Sequence, residues 1–383
     1  MQQILFEIPL PFADYKLPIF GFGAMLLLAI LIAGWVAQRR AQQEGIDPDT
    51  FWDLGTWFIL GGLIGCRLMA ILLNGQKADF WTHALQFFKI WEGGMVFYGL
   101  IPGAALAYLW VYFRILKPKR IRTPLLADIA APSLALGLAL GRIGCLLNGC
   151  CYGNVVEPGS VPAWQTITFP GNSYPQRRCV AEGWQWGYGF QIAGFEAGAP
   201  QVGEERRIVF VAPDTPAAAA GLAVGDVILA VNGATTPKAS DVHLALRVAP
   251  AAAPVQLKVL RPAAQGPPRE VDLTFDLPRS LPVHPSQLYS AVDATLLFVV
   301  AWLFYPVRQR EGQVLALVMF LHGFSRFFLE QLRMDNPDFA FGLTVSQWIS
   351  LGLIAAGTIL FLALLRWGRP VGLAEKSTPA ATS

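Results

Sequence analysis

Charge is what this sequence has little of. Asp, Glu, Lys and Arg make up 14% of its 383 residues, where ordinary soluble domains carry about a quarter. Hydrophobic residues reach 54%, which excludes a disordered chain and argues against a wholly soluble globule. The net charge of +3 is too small for the electrostatic footprint of a nucleic-acid binder, so no nucleic-acid partner is expected. Gly at 37 and Pro at 28 are only modestly enriched, which removes collagen-like and low-complexity classes. The first 16 residues lack a basic n-region, so no cleaved signal peptide is expected. The length allows two or three domains.

The few charges are unevenly placed. Residues 17–37, 93–113 and 339–365 contain none. Residues 54–73 hold only Arg67, 124–147 only Asp128 and Arg142, 285–305 only Asp293, and 312–329 only Arg326. Helix crossing a hydrocarbon core needs about 20 mostly apolar residues, so the sequence predicts a polytopic α-helical membrane protein with seven transmembrane helices. The loops on one side carry Arg39, Arg40, Arg114, Lys117, Lys119, Arg120, Arg122, Arg308, Arg310, Arg366, Arg369 and Lys376. The other side has Lys16, Lys77, Lys89 and Arg333. The positive-inside rule then puts the C-terminus in the cytoplasm and the N-terminus outside, with the long loop after the fourth helix.

That loop, 148–283, is near neutral, with 10 basic and 11 acidic residues. Strands are expected at 208–211, 226–231, 255–261 and 270–275, an Ala-rich turn of helix ending at Gly221, and a helix over 242–248. Asn232-Gly233 is a tight-turn signal. The stretch resembles a PDZ domain. Gly187-Tyr188-Gly189-Phe190-Gln191-Ile192 is similar to that family's carboxylate-binding loop, and the run 218–233 to its most diagnostic segment. The resemblance implies a groove at Tyr188, Gly189, Phe190 and Ile192 that takes a C-terminal or internal peptide as an added strand. The bland alternative is a structural cap with an unused groove.

Ionisable side chains inside a membrane are costly and usually functional. Arg67, Arg142 and Arg326 all fall toward the external ends of their spans, and three guanidiniums at one depth favour a phosphate-bearing ligand. The alternative is structural pairing with Asp128, Asp293, Glu330 or carbonyls. Around Arg142 the chain reads Gly141-Arg142-Ile143-Gly144-Cys145-Leu146-Leu147-Asn148-Gly149-Cys150-Cys151-Tyr152-Gly153. The whole set resembles the prolipoprotein diacylglyceryl transferases of bacterial inner membranes. The Gly-Arg-x-Gly-x-x-x-Asn-Gly segment carries it, with Phe22-Gly23-Ala24-Met25, Trp91-Glu92-Gly93-Gly94-Met95, Phe169-Pro170-Gly171, His284-Pro285-Ser286-Gln287-Leu288-Tyr289, and Arg326, Glu330 and Arg333. It spans all seven expected helices, with the PDZ-like segment inserted just before His284.

The resemblance implies an enzyme that moves a diacylglyceryl group from phosphatidylglycerol to the lipobox cysteine of a prolipoprotein, with no cofactor. It implies Arg142, Arg326 and Tyr98 as catalytic, and Arg67, Asn148, Gly153, Glu330, His284 and Phe22 as substrate-binding. Three positions depart from the family: Phe22 replaces a usual Tyr, Tyr98 a usual His, and Cys150 an acidic residue. Those departures keep open a related transferase with a different acceptor, and a non-catalytic lipid-binding scaffold that recruits partners through the PDZ-like groove. The implied organisation is membrane helices over 1–147, a roofing loop over 148–180, the PDZ-like domain over 181–278, further helices over 279–370 and a tail over 371–383. Cys66 and Cys145 read as packing residues. Cys179 is expected to pair with Cys150 or Cys151 in an oxidising periplasm, and no metal site is expected from three external cysteines without a paired histidine.

Overall fold

The computed structural model describes residues 4–9, 16–74, 99–157, 159–193, 195–196, 199–200, 206–249, 253–263, 266–333 and 338–371. Tyr98 and the 91–95 motif lie outside the described residues. Six helices are long and apolar enough to cross a membrane. They are α1 (Gly21–Gln43) and α2 (Pro48–Asn74), then, beyond the shorter apolar α3 (Leu100–Val111), α4 (Thr123–Asn148). The short α5 (Tyr174–Ala181), α6 (Pro216–Ala219) and α7 (Ala239–Val248) intervene before α8 (Ser286–Phe304), α9 (Gln313–Glu330) and α10 (Val345–Trp367). A π-helical turn, Tyr112–Leu116, extends α3.

Two expected spans begin later than the apolar runs do. Lys16–Phe20 forms strand β2, antiparallel to β1 (Ile4–Pro9), so the first helix starts at Gly21. At the far end, Phe341 and Gly342 both take positive φ (53° and 68°). They close a hairpin between Asp338–Ala340 and Leu343–Thr344, and helix starts only at Val345. Hydropathy registers apolar strand and apolar helix alike.

The chain divides into two compact units. One holds residues 28–138, 294–325 and 349–383. Here α2 and α3 meet through glycines: a Cβ on Gly65 would stand 2.2 Å from the Gly99 carbonyl oxygen, and one on Gly103 2.2 Å from that of Gly61. Gly61 and Gly65, like Gly99 and Gly103, are spaced as the small-xxx-small pattern that lets membrane helices approach closely. Asp128, fully buried, accepts from the backbone N–H groups of Gly312 (2.7 Å), Val314 (2.9 Å) and Leu315 (3.1 Å), capping α9. Arg308 lies 3.5 Å from Asp128 and 2.6 Å from Glu44, which also accepts from the Tyr305 hydroxyl. Arg40 stacks over the Trp302 ring at 3.7 Å. Asp128 is thus structural, as the pairing alternative allows, but its partner is Arg308.

The other unit holds residues 1–27, 139–293 and 326–348. Its mixed α/β part has strand β3 (Phe190–Ile192) antiparallel to Ile208–Val211. It also has a four-stranded sheet in the spatial order Arg269–Phe275, Val255–Arg261, Val227–Val231, Ala234–Thr235. Asn232 and Gly233 take positive φ, as the turn needs. Helix α7 starts at Ala239, a turn earlier than its apolar pattern, because Asp241 accepts from the Lys238 N–H at 3.0 Å. Ile208, Ile228, Val242, Leu246, Val255, Leu257 and Val259 form the core.

Candidate functional site

Three chain segments converge beyond the end of α4, and glycines dictate where. Gly149 takes φ 73°, its N–H bonds to the Leu146 carbonyl at 3.2 Å, and the Cys150 N–H bonds to that of Cys145 at 3.1 Å. These paired bonds make a Schellman cap, which turns the chain back on the helix and brings Cys150 against Cys145. Cys151 also takes positive φ, 58°. Its carbonyl accepts from the Ser286 hydroxyl at 2.7 Å, and that of Cys150 from Gln287 Nε2 at 2.8 Å. The first turn of α8 therefore pins the reversed chain.

Next comes Gly153, whose N–H bonds to the His284 carbonyl (2.9 Å) while the Asn154 N–H bonds to that of Leu332 (2.8 Å). A Cβ at Gly153 would sit 2.6 Å from His284 Cβ and 2.8 Å from the Leu332 oxygen. Glycine is required there because two backbones close on it. This crossing draws the signature segment, the His284 motif and the end of α9 into one place.

On α9, Arg326 pairs with Glu330 at 2.5 Å, and Arg333 approaches the same carboxylate at 4.0 Å. The Glu330 side chain is fully buried, and its other oxygen accepts from the Thr344 hydroxyl at 3.1 Å. Arg326 Nη1 is buried without a hydrogen-bond partner among the described residues. Arg142, Arg333 and Cys151 all act electrostatically on Arg326. Among the described residues, Arg326 and Arg333 reach the Glu330 carboxylate and Arg142 is near enough to act on Arg326, a gathering of guanidiniums that suits an anion.

The sulfurs of Cys145, Cys150 and Cys151 lie within 4.8 Å of one another. Asn148 hydrogen-bonds the Cys150 sulfur. Hydrogen bonds from Cys145 and Cys150, with the charges of Arg333 and Arg142, hold the Cys151 thiol well below the usual thiol range. The expected bridge from Cys179 is not formed: Cys179 is a free, fully buried thiol on α5. Cys145, read from sequence as packing, is part of the cluster. Its signal was Gly149, since a glycine C-cap predicts contact between the residues four before and one after it. Thr344 gave no signal in the sequence.

The remaining expected residues fall in varied roles. Arg142, Asn148, Gly153, His284, Arg326 and Glu330 share one compact unit. Arg67 is buried on α2 and belongs to the other. Phe22 packs against the signature segment, its ring 3.2 Å from where a Cβ on Gly144 would lie.

In the α/β part, a groove of about 640 Å³ runs between β3 and α7, lined by Tyr188, Phe190, Ile192, His243, Leu244 and Arg247, with Arg177 of α5. Gly189 takes φ 82° against Thr215. Burial pushes the Tyr188 hydroxyl up, partly offset by Arg177 and Arg247. Phe190 and Ile192 are 4% and 3% exposed, so their main role is core packing. The segment before α5 is tied to this part by Asn172 Nδ2, which donates to the carbonyls of Leu246 (2.6 Å) and Ala249 (2.9 Å).

Six membrane-length helices, with guanidiniums gathered beside a thiol-rich turn, define a polytopic helical membrane protein with a cationic cluster. The family model described as prolipoprotein diacylglyceryl transferase matches residues 9–363, and the chain belongs to that family. A phosphatidylglycerol–prolipoprotein diacylglyceryl transferase of Rhodopirellula baltica is 30% identical, over 94% of this chain and 74% of the relative. Enzymes of the same name from Neisseria meningitidis and Paraburkholderia phymatum are 26% and 28% identical, over 89% and 91% of this chain and 90% of each relative.

Proposed function

We propose that this chain transfers the diacylglyceryl group of phosphatidylglycerol to the lipobox cysteine of prolipoproteins, the step that starts lipoprotein maturation. The acceptor sulfur bonds to the glyceryl carbon, the carbon–oxygen bond to phosphate breaks, and glycerol phosphate leaves. The observation that carries this reading is the gathering of Arg142, Arg326 and Arg333, with Arg326 Nη1 buried and without a hydrogen-bond partner among the described residues. Placed positive charge stabilises a phosphate leaving group most where water is excluded.

Within this reading Arg142 and Arg326 bind the phosphate and Glu330 aligns Arg326 through the 2.5 Å pair. Asn148 bonds the head group, Gly153 and His284 hold the crossing, Phe22 shapes the wall, and Tyr98 offers a route for the thiol proton. Arg67 enters as a substrate-binding residue through the family resemblance. Seven transmembrane helices, an external N-terminus and a cytoplasmic C-terminus complete the topology, with α3 as the core of the third span. The segment 181–278 is read as a periplasmic PDZ-like domain. The β3–α7 groove supports a peptide bound as an added strand, its carboxylate toward Arg177 and Arg247.

The test is direct. Purified protein given phosphatidylglycerol vesicles and a lipobox peptide yields thioether and glycerol phosphate, and Arg326→Ala does not. Full-rate product from Arg326→Ala removes the phosphate role.

A further inference from the structure

We propose that Cys145, Cys150 and Cys151 form a three-thiolate zinc site whose fourth position receives the acceptor thiol. The second half rests on the transferase reading above; the metal site itself does not.

The cluster is built, not incidental. The Schellman cap at Gly149 holds Cys150 against Cys145, the positive φ of Cys151 turns its side chain to the same point, and Ser286 and Gln287 lock both cysteine carbonyls. A preorganised ligand set loses little entropy on binding. Tetrahedral zinc with Zn–S of about 2.3 Å spaces its sulfurs about 3.8 Å apart. The three sulfurs, within 4.8 Å of one another, need at most about an ångström of closure. Thiolates select soft ions, and a three-thiolate zinc site carries one excess negative charge. Arg142 and Arg333 are the neighbours that balance it. Three protein ligands with one open position is the pattern of reactive rather than structural zinc.

The chemistry supplies the reason. The acceptor must lose a proton before its sulfur attacks carbon, and a thiol that coordinates zinc is deprotonated outright. The acceptor R–SH binds as R–S⁻ and its proton goes to water. The sulfur then takes the glyceryl carbon, and the electron pair of the broken carbon–oxygen bond leaves on glycerol phosphate. The neutral thioether is a weaker ligand and departs. No oxidant or reductant is needed, which suits an ion without redox chemistry.

The test uses the full-length protein purified under a phosphine reductant. Elemental analysis is expected to find one zinc per chain, lost in Cys150→Ser and Cys151→Ser. Replacement with cobalt is expected to give a sulfur-to-metal charge-transfer band. That band should shift when a lipobox peptide is added, and stay fixed with the same peptide carrying Ser for Cys. Where a Ser variant fails to fold, the wild-type cobalt spectrum decides alone. Three alkylatable thiols with no zinc and no cobalt–thiolate band overturn the site, as does copper in place of zinc. A band unmoved by the cysteine peptide overturns the fourth-ligand role. Thioether formation by zinc-free protein overturns the inference and leaves the transferase reading intact. Zinc and the peptide shift without thioether from phosphatidylglycerol uphold the site and sink the transferase reading instead.

Discussion

Two buried charge clusters, one in each compact unit, make opposite use of arginine. Around Asp128 the charges balance: Arg308 and Arg40 against Asp128 and Glu44, with both carboxylates also accepting hydrogen bonds. Around Glu330, among the described residues, guanidiniums outnumber carboxylates: Arg326 and Arg333 approach Glu330, while Arg142 and Arg333 also act on the Cys151 sulfur. A balanced, capped cluster holds helices together and has little reason to bind anything. An unbalanced one is costly to keep in a low-dielectric setting unless an anion completes it. Among the described residues, the surplus of buried arginine, not its presence, distinguishes this cluster from the other.

That contrast can be broken in graded ways. The largest effect is expected from Arg326→Ala, which should lower thioether formation by at least about 10²-fold, as removing one oxyanion donor does. Arg326→Lys should recover only part of the rate, because an ammonium cannot pair with Glu330 and the phosphate in the guanidinium's fork geometry. Asp128→Ala should act on stability instead, costing about 3 kcal/mol by leaving Arg308 with a broken pair. Thermal unfolding in detergent checks it, with the KM for phosphatidylglycerol unchanged in the protein that remains folded. Gly153→Ala should cut activity by displacing His284 and Leu332, read as lost product with α-helical content kept.

Smaller effects belong to the α/β part. Leu244→Glu alters the exposed wall of the groove (62% exposed) without entering the core. It should weaken binding of a peptide ending in a free carboxylate, measured by fluorescence anisotropy. Phe190→Glu is a poorer test because it buries a charge in the core. Burial lowers the His243 pKa, so the unfolded state binds its proton more readily. Stability near α7 should be level above about pH 6.5 and decline below it. Hydrogen exchange of the α7 amides at pH 5 and 7.5 reports this, and His243→Gln should flatten the difference.

Much of this was legible in the sequence, for reasons that also explain the misses. Apolar runs located the long helices because length and hydropathy suffice for that. They misplaced the starts of α1 and α10, where hairpins use the same residue types. In the α/β part, alternation and Asn232-Gly233 identified four strands and a turn but not the short strands Phe190–Ile192 and Ala234–Thr235. The guanidiniums stood out as charges in apolar runs, with Glu330 among their candidate partners, but the pairing of Asp128 with Arg308 did not. That Asp128 caps α9 depends on residues 184 to 187 positions away. The cysteine expectation rests on compartment chemistry, which carries no information about backbone geometry. Gly149 already fixed Cys145 beside Cys150, and a buried Cys179 on α5 had no part in it.

One comparison tests the central claim most directly: glycerol phosphate release from phosphatidylglycerol, with a lipobox peptide present, by wild type, Arg326→Ala and Asp128→Ala at equal folded concentration. The account predicts release by wild type and by folded Asp128→Ala, and almost none by Arg326→Ala. Equal release by all three would contradict it.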